Sequence, residues 1–223
     1  MSIIAIIPAR GGSQEIKNKN LRKIKGKPLI QFTIEAAKKS NLIDKIYVSS
    51  DSDKILNFAK KMKVNYIKRP KKISTGKSKT IEAIKHLAKF LRLKKNIIPD
   101  YIIILQPTSP LRKPKHINNA IQQIKNNKKA DSLVSCIKVK HNFNPESLMT
   151  INKKGILRFK KKLIRRQDKK VYFARNGAAI YIIKYPTYLK DIFGKITIPY
   201  IMDQNSSYDI DDNEDLSLIK KLI

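Results

Sequence analysis

Short apolar runs that alternate with segments of helical period constrain this chain more than any other feature. Residues 3–7, 45–49, 64–67, 101–105 and 132–139 read as strands, and several are continuously apolar, as strands buried on both faces of a parallel sheet are. Between them, 29–37, 53–62, 81–91 and 117–124 carry apolar residues at helical spacing; Ile84, Leu87, Ala88 and Leu91 form one such stripe. The order β-α-β-α-β predicts an α/β fold with an open, mostly parallel sheet flanked by helices and right-handed crossovers. From about 140 to 175 the alternation gives way to a polar, Lys-rich stretch containing Asn142, Asn144 and Pro145. It resumes with strands at 178–183 and 196–202 and a closing helix at 212–222. With no repeats and no linker composition, the expectation is a single domain over 1–223, interrupted by an inserted arm or dimerisation element at 140–175.

A chain of 223 residues can bury a sizeable core without disulfides. Its 41% hydrophobic and 30% charged residues exclude a membrane protein, and the aliphatic content excludes a disordered one. The apolar run at 3–7 meets Pro8 and Arg10 and has no basic segment ahead of it, so it is too short for a signal peptide or a membrane span. The lone Cys136 can form no internal disulfide and offers no zinc cluster. A cytoplasmic protein is expected.

The formal net charge of +32 invites a nucleic-acid reading, in which the chain would be a non-catalytic basic binder. Its texture argues against that. Of the 49 basic residues 40 are Lys, dispersed through every segment, whereas base readers rely on the forked Arg guanidinium. Six of the nine Arg (Arg10, Arg69, Arg112, Arg165, Arg166 and Arg175) fall in or beside motif-like segments and are candidates for gripping anions.

Ligands of open α/β sheets bind at the carboxyl ends of the strands. The first such turn reads Pro8-Ala9-Arg10-Gly11-Gly12-Ser13, where two glycines let backbone NH groups turn toward an anion while Arg10, Lys17 and Lys19 add charge. The Gly-x-Gly-x-x-Gly fingerprint is absent, and Gly76-Lys77-Ser78 lacks the first glycine of a P-loop, Lys71 standing in its place. The fourth strand runs into Gln106-Pro107-Thr108-Ser109-Pro110-Leu111-Arg112. Its two prolines stiffen the exit, so Gln106, Thr108 and Ser109 would be held ready for a polyhydroxylated ligand. Near the C-terminus, 203–215 holds six of the 17 acids and no Lys or Arg. In an extended segment Asp209-Ile210-Asp211 would put both carboxylates on one face, suited to Mg2+ shared with substrate phosphates; helix capping by Asp211 and Asp212 is the competing use. His86, His116 and His141 stand isolated and read as surface residues, and Cys136 as core.

Taken in order, Ile7 to Ser13, Lys19-Asn20, Ser49-Ser50-Asp51, Arg69-Pro70, Leu105 to Arg112, Arg166-Gln167, Asn176-Gly177-Ala178 and Asp209-Ile210-Asp211 resemble the acylneuraminate cytidylyltransferases, the CMP-sialic acid synthetase family. The resemblance implies a Rossmann-like nucleotidyltransferase fold and an Mg2+-dependent (or Mn2+-dependent) reaction of CTP with a nonulosonic acid to give the CMP-sugar and diphosphate. It implies that Arg10, Gly11, Gly12, Ser13, Lys19, Asn20, Arg69, Ser78 and Thr80 serve the nucleotide. Gln106, Thr108, Ser109, Arg166, Arg175 and Asn176 would serve the sugar, and Asp209 and Asp211 the metal. Arg10, Lys19 and Asp211 would be catalytic, Asp211 assisting deprotonation of the anomeric hydroxyl. A homodimer joined through the 140–175 arm follows from the same resemblance, with neither nucleic acid nor membrane as partner. Legionaminic, pseudaminic or Kdo-type acids are alternative substrates of the same chemistry. The chain departs from the family pattern at Gln14-Glu15, where Lys-Gly is usual, and at Thr75, where Asp is common.

Overall fold

Alternation along a strand explains the continuous apolar runs. In strand β1 (Ile3–Pro8), Ile3, Ala5 and Ile7 face one core, whereas Ile4 and Ile6 face a second. The same split occurs in β6 (Tyr101–Ile104), so both faces of the sheet are dry and each needs helices over it. Helices α1 (Leu29–Lys38), α2 (Asp53–Lys61) and α4 (Pro114–Asn126) contribute to the first core, and α3 (Thr80–Lys95) covers the second. This computed structural model describes residues 1–13, 15–159, 165–177, 179–185 and 191–223.

The sheet is mixed. Strands β4 (Lys45–Ser50) and β5 (Asn65–Lys68) extend it in parallel from one edge of β1, and β6 lies parallel on the other edge. Beyond β6, β11 (Tyr181–Lys184) runs antiparallel between β6 and β7 (Ser132–Lys138). The residues of β10 (Phe173–Arg175) pair with 136–138 of β7 and those of β11 with 132–134, so β10 and β11 are two halves of one interrupted strand. Strand β12 (Thr197–Ile201) lies parallel along the other edge of β7. A strand had been expected from residue 178; Ala178 is outside the described residues and the ladder begins at Tyr181. The break is held by Ser135, whose backbone NH donates to the Ile180 carbonyl (2.9 Å) while its Oγ accepts from the Ile180 NH (2.9 Å).

Two hairpins escape the periodicity reading. Strands β2 (Lys23–Ile24) and β3 (Lys27–Pro28) join through Lys25 and Gly26, both at positive φ (44° and 83°), the dihedral signature of a tight hairpin turn. Within the 140–175 stretch, two 3-10 turns (His141–Phe143 and Pro145–Ser147) precede a hairpin of β8 (Met149–Ile151) and β9 (Leu157–Phe159). Helix α5 (Asn213–Leu222) packs Leu216 and Ile219 with Ile16, Ile24, Leu29 and Ile210 in a third core. Among the described residues no helix is long and apolar enough to cross a membrane.

Candidate active site

Strand β1 has β4 on one side and β6 on the other, so the chain reverses its direction of travel across the sheet between β1 and β6. A cavity of about 490 Å3 opens at the carboxyl ends of the strands there, as open α/β sheets dictate. It collects residues from segments far apart in sequence: Arg10, Ser13, Lys19 and Asn20 after β1, Arg69 after β5, Ser78 and Thr80 at the start of α3, Gln106 and Thr108 after β6, and Asp209 and Asp211. These eleven include most of the residues singled out from the sequence. Glu15, Lys79, Gly76 and Gly177 also line it.

At one end the walls are cationic and fixed by backbone contacts. The Gly11 NH donates to Asp51 Oδ1 (2.9 Å), and a Cβ on Gly11 would lie 2.8 Å from that of Ser52, so the turn after β1 packs too closely against β4's exit for any side chain there. Gly12 has open space around it. Asn20 Nδ2 donates to the Arg10 carbonyl (2.9 Å), and Arg10 Nη1 reaches the Thr75 carbonyl (2.8 Å). The turn at 75–78 is closed by Ser78 Oγ, which accepts from the Thr75 NH (3.0 Å). Arg69 is buried with its Nε unpartnered; burial pushes its pKa down, opposed by the Asp51 carboxylate. A buried guanidinium with a donor to spare at a cavity wall is suited to a polar ligand.

At the other end sit the carboxylates. Residues 209–211 form no strand, and the Ile210 NH donates to the Thr108 carbonyl (2.9 Å). Ile210 is fully buried in the third core, and the flanking acids therefore turn the opposite way, into the cavity. Truncating Ile210 would cost about 2–5 kcal/mol as a core deletion and would free the two acids it anchors. Asp209 accepts from Ser109 Oγ (3.0 Å); burial raises its pKa, with the Thr108 hydrogen bond opposing and the Asp211 charge adding to the rise. Gly177, at φ +62°, is the floor beneath Asp209, and a Cβ there would overlap the carboxyl group. Asp211 is largely exposed, and its carbonyl and that of Ile210 accept from Lys19 Nζ (2.8 Å each). The competing capping role falls to Asp212 alone, whose side chain accepts from the NH groups of Glu214 (2.8 Å) and Asp215 (2.9 Å).

Several expectations are corrected. Arg112 is no surface anion grip: it is buried, its guanidinium donating to the carbonyls of Gln106 (3.1 Å) and Ala179 (2.7 Å) and to Thr33 Oγ1 (2.7 Å), and burial pushes its pKa down to about 9. Asn176 lies behind the cavity, its amide committed to Ser135 Oγ (2.6 Å), Ser207 Oγ (2.9 Å) and Met202 Sδ (3.3 Å). Ser109 is buried and meets the cavity only through Asp209. Arg165 and Arg166 are exposed on the arm, outside the cavity lining. Arg175 stacks on Phe193, 5.7 Å from the ring centre, and its charge bears on Tyr181, whose ring meets Phe193 edge-on at 5.9 Å. His116 is buried, not superficial, and burial lowers its pKa. The sequence carried no local signal for Tyr181 or Phe193 as neighbours of the site.

The same arrangement of strands and helices occurs in a solved structure of CMP:2-keto-3-deoxy-manno-octonic acid synthetase complexed with CTP, with a TM-score of 0.71 at 17% identity, over 100% of this chain and 98% of that one. The fold is that of the nucleotidyltransferases. The family model described as Cytidylyltransferase matches residues 4–223, and the chain belongs to that family. It is 35% identical over 222 residues to an N-acylneuraminate cytidylyltransferase of Escherichia coli O18:K1:H7, covering 97% of this chain and 51% of the relative. It is 34% identical over 234 residues to a CMP-N,N'-diacetyllegionaminic acid synthase of Legionella pneumophila, covering 100% and 97%. The chain thus spans about half the length of the E. coli and streptococcal relatives and nearly all of the Legionella one.

Proposed function

We propose that the chain transfers the cytidylyl group of CTP to the anomeric hydroxyl of a sialic-type nonulosonic acid, releasing diphosphate. The observation that carries this reading is one cavity that brings Arg10, Lys19 and Arg69 together with Asp209 and Asp211, Lys19 Nζ lying 3.9 Å from an Asp211 carboxylate oxygen. In-line attack of the hydroxyl on the α-phosphorus asks little covalent chemistry of a protein, so positioning and charge neutralisation supply the rate. Arg69, Ser78 and Thr80 would hold the cytidine, with Arg10, the Gly11-Gly12-Ser13 turn, Lys19 and Asn20 at the triphosphate. Gln106 and Thr108 offer uncharged donors and acceptors to sugar hydroxyls. Asp211, exposed at the cavity mouth, would take the hydroxyl proton.

The residues present suit a hard divalent cation: Asp209 and Asp211 supply two carboxylates on one wall, and Gly177 leaves room for the first of them. Mg2+ or Mn2+ is typically held by one or two carboxylates plus substrate phosphates and, when bound, neutralises phosphate charge and orients the leaving group. The arm supports a homodimer. Phe143, Met149, Ile151, Leu157 and Phe173 expose apolar surface there, and a second copy would cover it while bringing Arg165 and Arg166 toward the neighbour's cavity. A cytoplasmic setting suits the single buried thiol of Cys136. The end-to-end match with the Legionella relative favours a second reading of the acceptor, N,N'-diacetyllegionaminic acid.

Base selectivity tests the nucleotide half: with Mg2+ and a nonulosonic acid present, diphosphate should be released from CTP and not from ATP, GTP or UTP. Equal release from all four would overturn it.

A further inference from the structure

A guanidinium that is 3% exposed and forms no ion pair within 4 Å among the described residues is an expensive thing to bury. Arg112 is such a group. Its Nε is buried without a partner, and the carboxylate that bears on it electrostatically is Asp209. A Met or Leu of similar volume would fill the space at lower cost, so packing does not account for the residue. What an apolar side chain lacks is a planar fork that bonds three segments at once. Nη1 holds the Gln106 carbonyl at the exit of β6 and the Ala179 carbonyl in the break between β10 and β11; Nη2 holds Thr33 on α1, whose own hydroxyl donates to the Gln106 carbonyl (3.3 Å).

These anchors converge on one end of the cavity. The Gln106 side chain lines it, and Ala179 lies two residues beyond Gly177, the floor under Asp209. The nucleotide end is fixed by other contacts: Gly11 to Asp51, Asn20 to the Arg10 carbonyl, and the Arg69 NH to the Ser50 carbonyl (2.7 Å). We propose that Arg112 is a positioning residue for the acceptor half of the site, clamping the Gln106 loop against the Gly177 break so that Gln106 meets the sugar acid in register.

The proposal rests on the function above, and its test separates the two. Arg112→Lys keeps the charge and loses the fork. With CTP, Mg2+ and N-acetylneuraminic acid, or N,N'-diacetyllegionaminic acid if only that is turned over, the variant should show a sugar KM raised about tenfold or more and a CTP KM within twofold of wild type. Thr33→Val removes one anchor without a cavity and should move the sugar KM the same way by about threefold; it carries the test if Arg112→Lys does not fold. A sugar KM and kcat within twofold of wild type, whatever the thermal stability, would overturn the clamp. If wild type turns over neither acid, the functional reading fails, and hydrogen exchange on the ligand-free proteins decides the clamp. Protection lost selectively at 106–109 and 179–180 in the variant supports it, whereas unchanged or uniformly lowered protection overturns it.

Discussion

The parallel half of the sheet and the antiparallel half solve different problems. In β6-β1-β4-β5 every strand has partners or helices on its apolar faces, and the Gly11-Gly12 turn is locked by the Asp51 side chain at a neighbouring strand exit. Around β7, β10 and β11 the ladder is broken at 176–180, the arm carries exposed apolar residues, and the cavity wall depends on buried side chains, Arg112, Ser135 and Asn176, to hold its shape. In the parallel half the side chains of Asp51 and Asn20 pin the turn after an unbroken strand, whereas in the antiparallel half Arg112 and Ser135 bridge a break in the ladder.

Perturbing each half should give different signatures. The largest effect is expected at the junction: Asp211→Ala should lower kcat/KM by roughly 100-fold or more in diphosphate release while leaving the melting temperature nearly unchanged, because this exposed side chain caps no helix. Activity within threefold of wild type would remove Asp211 from the chemistry. Gly177→Ala should destabilise the fold by about 2–4 kcal/mol in denaturant titration, from positive φ and overlap with Asp209, and cut activity as well. A change below about 0.5 kcal/mol would mean the break is pliable.

In the arm, Ile151 is 70% exposed, so Ile151→Asp should leave the protomer's melting temperature in the monomeric state almost untouched. By light scattering the wild type should be a dimer and this variant a monomer; a monomeric wild type contradicts the proposed assembly.

The smallest effect concerns pH. Burial holds the folded-state pKa of His116 below its ordinary value, with Asp203 opposing and Lys115, Lys113 and Arg112 reinforcing; His86 is lowered in the same direction. The unfolded chain therefore takes up protons first as pH falls through about 6.5, and stability present above that pH is lost on acidification toward the folded pKa. The melting temperature should drop between pH 7.5 and 5.5, and His116→Asn should make the drop shallower. An unchanged slope would exclude His116.

The legibility of the sequence follows the same division. The seven expected strands and five expected helices all exist because continuous Ile runs and helical stripes report burial directly, and the strand exits then located most of the cavity lining. Periodicity could not see β2 and β3, two residues each, whose signal is the Lys25-Gly26 turn. Nor could it see β10 as half of a broken strand, since the break is imposed by Ser135 from another element. Arg112, expected to grip an anion, and His116, expected at the surface, are both buried by tertiary partners, Thr33, Gln106 and Ala179 for one and Asp203 for the other, that no local pattern announces.

One cavity that joins a nucleotide site to an acceptor site implies a reaction that needs both ligands. Incubating the protein with CTP and Mg2+, with and without each of N-acetylneuraminic, N,N'-diacetyllegionaminic, pseudaminic and Kdo acids, and following diphosphate, tests it most directly. Release should require both CTP and a nonulosonic acid, with the CMP-sugar as co-product by mass. Release from CTP alone, or none with any acid, would contradict it.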